Sequence, residues 1–222
     1  MNQRYLPGEK ICEEEDFVRG HGTNKKGKFI TATVFGTPIL INKLLSVHPT
    51  YNLRYTPETG DVVVGRVIEI GNKKWRVDIN SKTEVSLSLT SITLPGTVQR
   101  RKIEEDEMNM REYFDINDLL VAEIQKVNKS FSAALHTRNE KYKKLTNGIT
   151  ITLPVMIVPR MKSPFLENEN LEIILGMNGI IFLGIKKEEK ENYQKISFIF
   201  DYLTKCKEKL EMVDYEYLIN LI

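Results

Sequence analysis

Four short runs combine fixed positive charge with aromatic or hydrogen-bonding neighbours: Lys73-Lys74-Trp75-Arg76, Arg100-Arg101-Lys102, His136-Thr137-Arg138 and Lys141-Tyr142-Lys143-Lys144. Lysine and arginine neutralise phosphates and release their counterions, and aromatic faces stack bases, so this mixture suits a nucleic-acid strand. The formal net charge of the 222 residues is only +2, so any attractive potential is local. Each run alone reads as ordinary solvated surface. Their concentration between residues 57 and 145 joins them into one candidate surface, with Lys73, Lys74, Arg76, Arg100, Arg101, Lys102, His136, Arg138 and Lys141 as candidate RNA-binding residues. Trp75 shares its phase with Val77 and Ile79 and reads either as core or as a stacking platform. His136 falls on the outward phase of its strand, as a surface histidine or a polar contact to RNA.

A second candidate is Gly176-Met177-Asn178-Gly179. Gly-x-x-Gly loops clamp nucleic-acid backbones in KH domains, where the loop joins two helices and a helix N-terminus meets the phosphate. Here the following run, Ile180-Ile181-Phe182-Leu183, is short, apolar and β-branched, which reads as a buried strand. The loop holds no basic residue, and asparagine suits a tight turn. These residues predict a packed turn rather than a clamp.

Three further patterns carry no chemistry on this reading. Gly22-Thr23-Asn24-Lys25-Lys26-Gly27-Lys28 matches most of a P-loop, but Phe29 stands where Ser or Thr would hold magnesium, and a strand follows where a helix is needed. A hairpin turn is expected. Glu104-Glu105-Asp106-Glu107 could suggest two-metal catalysis. Four contiguous acids on one helical turn diverge, however, and a helix N-terminus favours acids through its dipole. His21, His48, His136, Cys12 and Cys206 lack metal-ligand spacing. No catalytic residue, cofactor or metal is expected.

The elements that must position the basic runs come in three stretches. Residues 1–56 are rich in turn signals around two strand candidates, Phe29–Val34 and Ile39–Ile41, and read as a small β module. In residues 57–145 five strands are predicted: Val62–Ile70, Trp75–Ile79, Val85–Leu89, Leu119–Val127 and Phe131–His136. Val85, Leu87 and Leu89 alternate with Ser86 and Ser88. The longest connection separates the third strand from the fourth and holds Leu94-Pro95-Gly96 and a helix-like stretch, Glu104–Tyr113. That spacing fits an OB-type barrel. Residues 146–222 change pattern again: a strand from Gly148 to Leu153, extended past Pro154 by Val155–Val158, strands around the glycine turn, and two helices. The first carries an apolar stripe of Ile196, Ile199, Phe200, Leu203, Cys206 and Leu210. The second is N-capped by Asp214 and buries Tyr215, Leu218, Ile219 and Ile222. The fold class is thus mainly β with an α+β C-terminal part. No apolar run approaches the roughly 20 residues of a membrane span, no signal-peptide core is visible at the N-terminus, and a soluble intracellular protein is expected.

The order of these parts resembles the RNA exosome cap subunits known as ribosomal RNA-processing protein four, exosome component two in animals. The marks are Leu6-Pro7-Gly8-Glu9, Arg19-Gly20-His21-Gly22-Thr23, Gly60-Asp61-Val62-Val63-Val64-Gly65-Arg66, Lys74-Trp75-Arg76-Val77, Leu94-Pro95-Gly96, Glu105-Asp106-Glu107-Met108, Leu135-His136-Thr137-Arg138 and Ile174-Leu175-Gly176-Met177-Asn178-Gly179. The resemblance implies a docking β domain (1–56), an S1-type OB domain (57–145) and a KH domain (146–222). It further implies a non-catalytic role on a ring of RNase PH-like subunits, beside other cap subunits, guiding single-stranded RNA in the nucleus and cytoplasm. Gly176, Asn178 and Gly179 would be structural, at the junction of the last two domains. A free-standing RNA-binding factor in translation or ribosome assembly is the alternative, because such modules are widely reused.

Overall fold

Turn residues cut the first fifty positions into six short strands: β1 (Lys10–Glu13), β2 (Val18–Arg19), β3 (Thr23–Lys26), β4 (Phe29–Ala32), β5 (Gly36–Ile41) and β6 (Leu44–Pro49). The structure is a computed structural model and describes residues 3–13, 17–50, 54–92, 107–128, 132–161 and 163–222. It divides into two units, 1–52 and 53–222. The first unit holds two three-stranded sheets, β1-β4-β3 and β2-β6-β5. Four of its strands escape the sequence reading: β1, β2 and β3 are short, β3 being the polar Thr-Asn-Lys-Lys, while β6 (Leu-Leu-Ser-Val-His-Pro) lacks a clean alternation. The P-loop lookalike is the β3–β4 hairpin, turning at Gly27-Lys28 with φ +66° at Gly27. Ile30, Ala32, Leu45 and Val47 are buried, whereas Val18, Leu40, Ile41 and Leu44 stay exposed on the β2-β6-β5 sheet.

In the second unit, alternating aliphatic residues build β7 (Val62–Gly71), β8 (Lys74–Asp78), β9 (Glu84–Ile92), β10 (Leu119–Val127), β11 (Ser132–Thr137) and a two-residue β12 (Lys144–Leu145). The order β11-β9-β8-β7-β10 closes through a β10–β11 pairing. Only β9–β11 is parallel within that ring, which gives an OB-type barrel of the kind the strand spacing predicts. A short helix, α1 (Met110–Tyr113), caps one end, with Met110 buried. Arg100, Arg101, Lys102, Leu94-Pro95-Gly96, Glu104, Glu105, Asp106 and Phe131 lie outside the described residues.

The remaining chain forms β13 (Gly148–Thr152), β14 (Phe165–Glu167), β15 (Leu171–Leu175), β16 (Ile180–Ile185), α2 (Lys190–Lys209) and α3 (Tyr215–Leu221). Its antiparallel sheet runs β13-β16-β15-β14. Alternation splits its faces. Leu171, Ile173, Ile181 and Leu183 pack with Ile196, Ile199 and Leu203 of α2. Ile174 and Phe182 pack with Val62, Val64 and Val121 of the barrel. The barrel strand β7 is therefore apolar on both sides, with Val63 and Val67 facing inward, which explains the unbroken Val62-Val63-Val64 run.

Three sequence expectations are corrected. Val155–Ile157 is a 3-10 turn and not a strand: Pro154 lacks the N–H a ladder needs, so pairing with β16 stops at the bond from the Leu153 N–H to the Gly179 carbonyl. Leu210 stands past the end of α2 with φ 57° and is exposed. Ile219 is exposed as well; α3 buries Leu218. Asp214 does cap α3, accepting from the Glu216 and Tyr217 N–H groups at 3.0 and 3.2 Å.

Candidate nucleic-acid interface

Period-two alternation sends every second residue of β8 outward, so Lys74 and Arg76 stand on the barrel surface while Trp75 and Val77 fill its interior. Pairing with β9 sets Ser88 opposite Lys74 and Ser86 opposite Arg76. Ala134 of β11 continues the Ser86 row, and the Ser88 and Thr90 hydroxyls lie 3.0 Å apart. The β8–β9 face is thus narrow-profiled, hydroxylated and edged by two cations. Such groups suit phosphate and sugar contacts better than base stacking. In the sequence Ser86 and Ser88 are only the polar phase of a strand; the Ser-x-Ser pattern on the third strand is the available signal, and strand pairing supplies its neighbours.

Trp75 is fully buried, donates from Nε1 to the Phe114 carbonyl at 2.8 Å and meets the Phe114 ring edge-to-face at 5.6 Å. It is a core residue, as its phase with Val77 and Ile79 allowed, and offers no stacking face.

Most of the other cations are paired. Arg76 Nη1 lies 2.6 Å from Glu69 and its Nε 3.6 Å from Glu84. Lys73, on the turn between β7 and β8, meets Glu107 at 2.5 Å. Lys141 lies 3.7 Å from Glu167 and 5.4 Å from the Phe165 ring centre. Exposed pairs of this kind are worth about 0–1 kcal/mol, so a polyanion can compete for these side chains. Lys74 and Arg138 are exposed and make no ion pair among the described residues.

His136 is half-buried on β11, opposite Glu123 of β10. Its Nδ1 accepts weakly from the Arg138 N–H at 3.4 Å, and its Nε2 lies 3.7 Å from Glu123. Tyr142 donates to the same carboxylate at 2.6 Å. Burial, and then that hydrogen bond, push the Tyr142 phenol well above its ordinary value. With Lys141 over Phe165 of β14, this second cluster lies where the barrel meets the C-terminal sheet.

The Gly-x-x-Gly turn joins β15 to β16, two strands, where a clamping KH loop joins two helices. It is packed against the barrel. Asn178 is fully buried; its Nδ2 donates to the Val64 carbonyl at 2.7 Å and the Ile79 carbonyl at 3.0 Å, and its Oδ1 accepts from the Val64 N–H at 3.3 Å. The Met177 N–H donates to the Val62 carbonyl at 2.9 Å. Gly179 has φ +83°, and a Cβ there would lie 2.3 Å from the Leu153 carbonyl oxygen; on Gly176 it would lie 2.4 Å from that of Ile180. No phosphate could approach the side of the turn that Asn178 uses, because the barrel occupies it.

Comparison with known proteins agrees with this architecture. Residues 54–126 match the family model described as the S1 domain of RRP4, and residues 5–38 match the model described as the N-terminal region of exosome complex exonuclease RRP4. The chain is 40% identical over 192 residues to the exosome complex component rrp4 of Schizosaccharomyces pombe, covering 86% of this chain and 58% of the relative. It is 44% identical over 183 residues to exosome complex component RRP4 of Saccharomyces cerevisiae, covering 82% of this chain and 51% of the relative. The chain thus spans little more than half the length of these two relatives. A crystal structure of a candidate exosome complex RNA-binding protein shares the fold, with a TM-score of 0.53 at 20% identity over 75% of this chain and 94% of that one.

Proposed function

We propose that this chain, which belongs to the Rrp4 family of exosome components, is a non-catalytic RNA-binding cap subunit that helps assemble the exosome and guides single-stranded RNA toward 3′-to-5′ processing. The observation that carries the reading is the β8–β9 face of the S1-type barrel, where Lys74 and Arg76 border the Ser86, Ser88 and Thr90 hydroxyls. OB-type barrels bind oligonucleotides on this pair of strands. Residues 57–145 serve as the RNA-contacting domain. Residues 146–222 serve as a KH-type domain whose glycine turn is devoted to packing. Residues 1–56 serve for docking on RNase PH-like ring subunits, beside other cap subunits, in nucleus and cytoplasm. In support of docking, Leu40 is 50% and Ile41 66% exposed at the β5–β6 hairpin, an apolar tip with no role in the unit's own core.

Two measurements test the two halves of this reading. Fluorescence anisotropy with a single-stranded oligouridylate should show the Lys74→Ala/Arg76→Ala variant weakened, with its log–log salt slope reduced by about 1.4 for two lost phosphate contacts. An unchanged slope would remove the β8–β9 face from the RNA path. Ile41→Asp should lose co-purification with the RNase PH-like subunits while keeping wild-type RNA affinity. Retained co-purification would move docking to another surface. Recovery of the wild-type chain only as a free monomer from cell extract would favour a free-standing RNA-binding factor.

A further inference from the structure

The two edges of the C-terminal sheet are treated differently. At one edge β14 has only three residues, and Tyr142 and Lys141 lie over its Phe165. At the other, β13 runs Gly148-Ile149-Thr150-Ile151-Thr152 and carries neither lysine nor proline. Those are the devices by which sheets usually blunt an open edge.

The register fixes which groups of β13 are open. The Ile185 N–H bonds to the Asn147 carbonyl, and the Leu153 N–H to the Gly179 carbonyl. In an antiparallel pair, hydrogen-bonded residues alternate with non-bonded ones, so Asn147, Ile149, Ile151 and Leu153 point their backbone groups at β16. Gly148, Thr150 and Thr152 then point theirs outward, and each is partly or fully exposed. On the α2 side of this edge lies a cavity of about 420 Å³ whose apolar walls include Ile149, Ile185, Tyr193, Ile196 and Phe200. Ile149 is 45% and Tyr193 53% exposed. Glu188 is the single charged side chain among its lining residues.

We propose that β13 is a strand-addition site, taking an extended peptide segment of a partner protein that bears alternate apolar residues and one lysine or arginine. Main-chain pairing to Gly148, Thr150 and Thr152 supplies affinity, and alternate side chains supply specificity. A segment added beside β13 turns every second side chain to the α2 side, next to Ile149, where the cavity receives it. The negative charge of Glu188, in walls that are otherwise uncharged and mostly apolar, selects the basic residue of that segment. Peptide binding here is independent of RNA binding at the β8–β9 face.

The test uses the full chain and a fluorescein-labelled peptide, Lys-Val-Thr-Ile-Thr-Val-Thr, with a copy N-methylated at alternate residues as control. Saturable anisotropy is expected with the first peptide and none with the second. Thr150→Pro removes an outward N–H without touching the β16 ladder, a placement edge strands tolerate, and should weaken binding about tenfold, the cost of roughly one lost hydrogen bond. Glu188→Lys should weaken it about threefold at low salt, the scale of one exposed ion pair. In wild-type protein the Thr150 amide should gain protection from hydrogen exchange when peptide is added, a readout that needs no variant to fold. Equal affinity of the N-methylated peptide, or an unprotected Thr150 amide at saturation, would overturn the proposal. So would concentration-dependent dimerisation that Thr150→Pro abolishes, since a second copy would then be the occupant.

Discussion

Asn178→Ala is expected to destabilise the second unit by at least about 3 kcal/mol, since each of three buried backbone groups left without its partner costs about 1–3 kcal/mol. Those groups are the Val64 carbonyl, the Val64 N–H and the Ile79 carbonyl. Water cannot replace the carboxamide, because Asn178 is fully buried. Against a total stability of about 5–15 kcal/mol for a typical domain, this is a large fraction. Urea denaturation followed by far-ultraviolet dichroism measures it, and a midpoint shift worth less than about 0.5 kcal/mol, the usual range for surface substitutions, would refute the account. Asn178→Asp separates hydrogen bonding from shape. It keeps the outline of the side chain, loses both donors and sets a carboxylate against two carbonyl oxygens. Burial beside those oxygens raises the folded-state pKa of the introduced carboxyl above its unfolded value. The neutral acid is the form the fold accepts, so the penalty is greatest at neutral pH and shrinks as pH falls through the raised pKa. RNA affinity at the β8–β9 face should fall only in proportion to the unfolded fraction. Selective loss of RNA binding in a fully stable Asn178→Ala protein would restore the glycine turn as a contact.

How much of this could be read from the residues depends on how local the responsible physics is. The five barrel strands were legible because alternation is a local property: Val85-Ser86-Leu87-Ser88-Leu89 can satisfy a half-buried strand and little else. The turn at Gly176–Gly179 was legible for the same reason, since the apolar run after it forbids a solvated helix N-terminus. The barrel partners of Asn178 were not, because Val64 lies 114 positions away and nothing near Asn178 encodes it. The first unit was mostly illegible. Four of its strands have only two to four residues, too few for a period to show, and the polar β3 is held by its hairpin with β4 and not by its own pattern. The candidate interface fell between these cases. Charge runs located Lys73, Lys74 and Arg76, but the carboxylates that share them, Glu69, Glu84 and Glu107, come from neighbouring strands and from beside α1. The position of Ser86 and Ser88 opposite Arg76 and Lys74 emerged only from cross-strand register.

The charge pattern has a consequence for how RNA would be held. A face of free cations binds any polyanion tightly and releases it slowly. On β8, Arg76 is shared with two glutamates, while Lys74 makes no ion pair among the described residues. A phosphate arriving there exchanges one partner for another, so net affinity per contact is modest and rests strongly on ionic strength. That suits a surface over which a strand must advance, and it fits the absence of a stacking aromatic among the described residues of the β8–β9 pair, since base stacking would add about 1–3 kcal/mol of grip per base.

Trp75→Ala tests that last point and carries the second large effect. Removing a fully buried tryptophan costs about 3–5 kcal/mol in lost burial and residual cavity, and here it also strands the Phe114 carbonyl, which Nε1 serves at 2.8 Å. Trp75→Phe keeps part of the volume and the edge-to-face contact with Phe114, so its loss should be smaller, close to the cost of the orphaned carbonyl, about 1–3 kcal/mol. The chain has a single tryptophan, so intrinsic fluorescence reports this position alone. Its emission should be blue-shifted, resist iodide quenching and stay unchanged when oligouridylate saturates the protein. Under conditions where Trp75→Phe remains folded, its RNA affinity and salt slope should match those of the wild type. A stacking platform would behave in the opposite way: fluorescence quenched by RNA, stability preserved in Trp75→Ala, and affinity lost without a change in salt slope. The two roles therefore separate in one set of titrations, because a residue that organises the barrel from inside acts on RNA only through the population of folded barrel that presents Lys74 and Arg76.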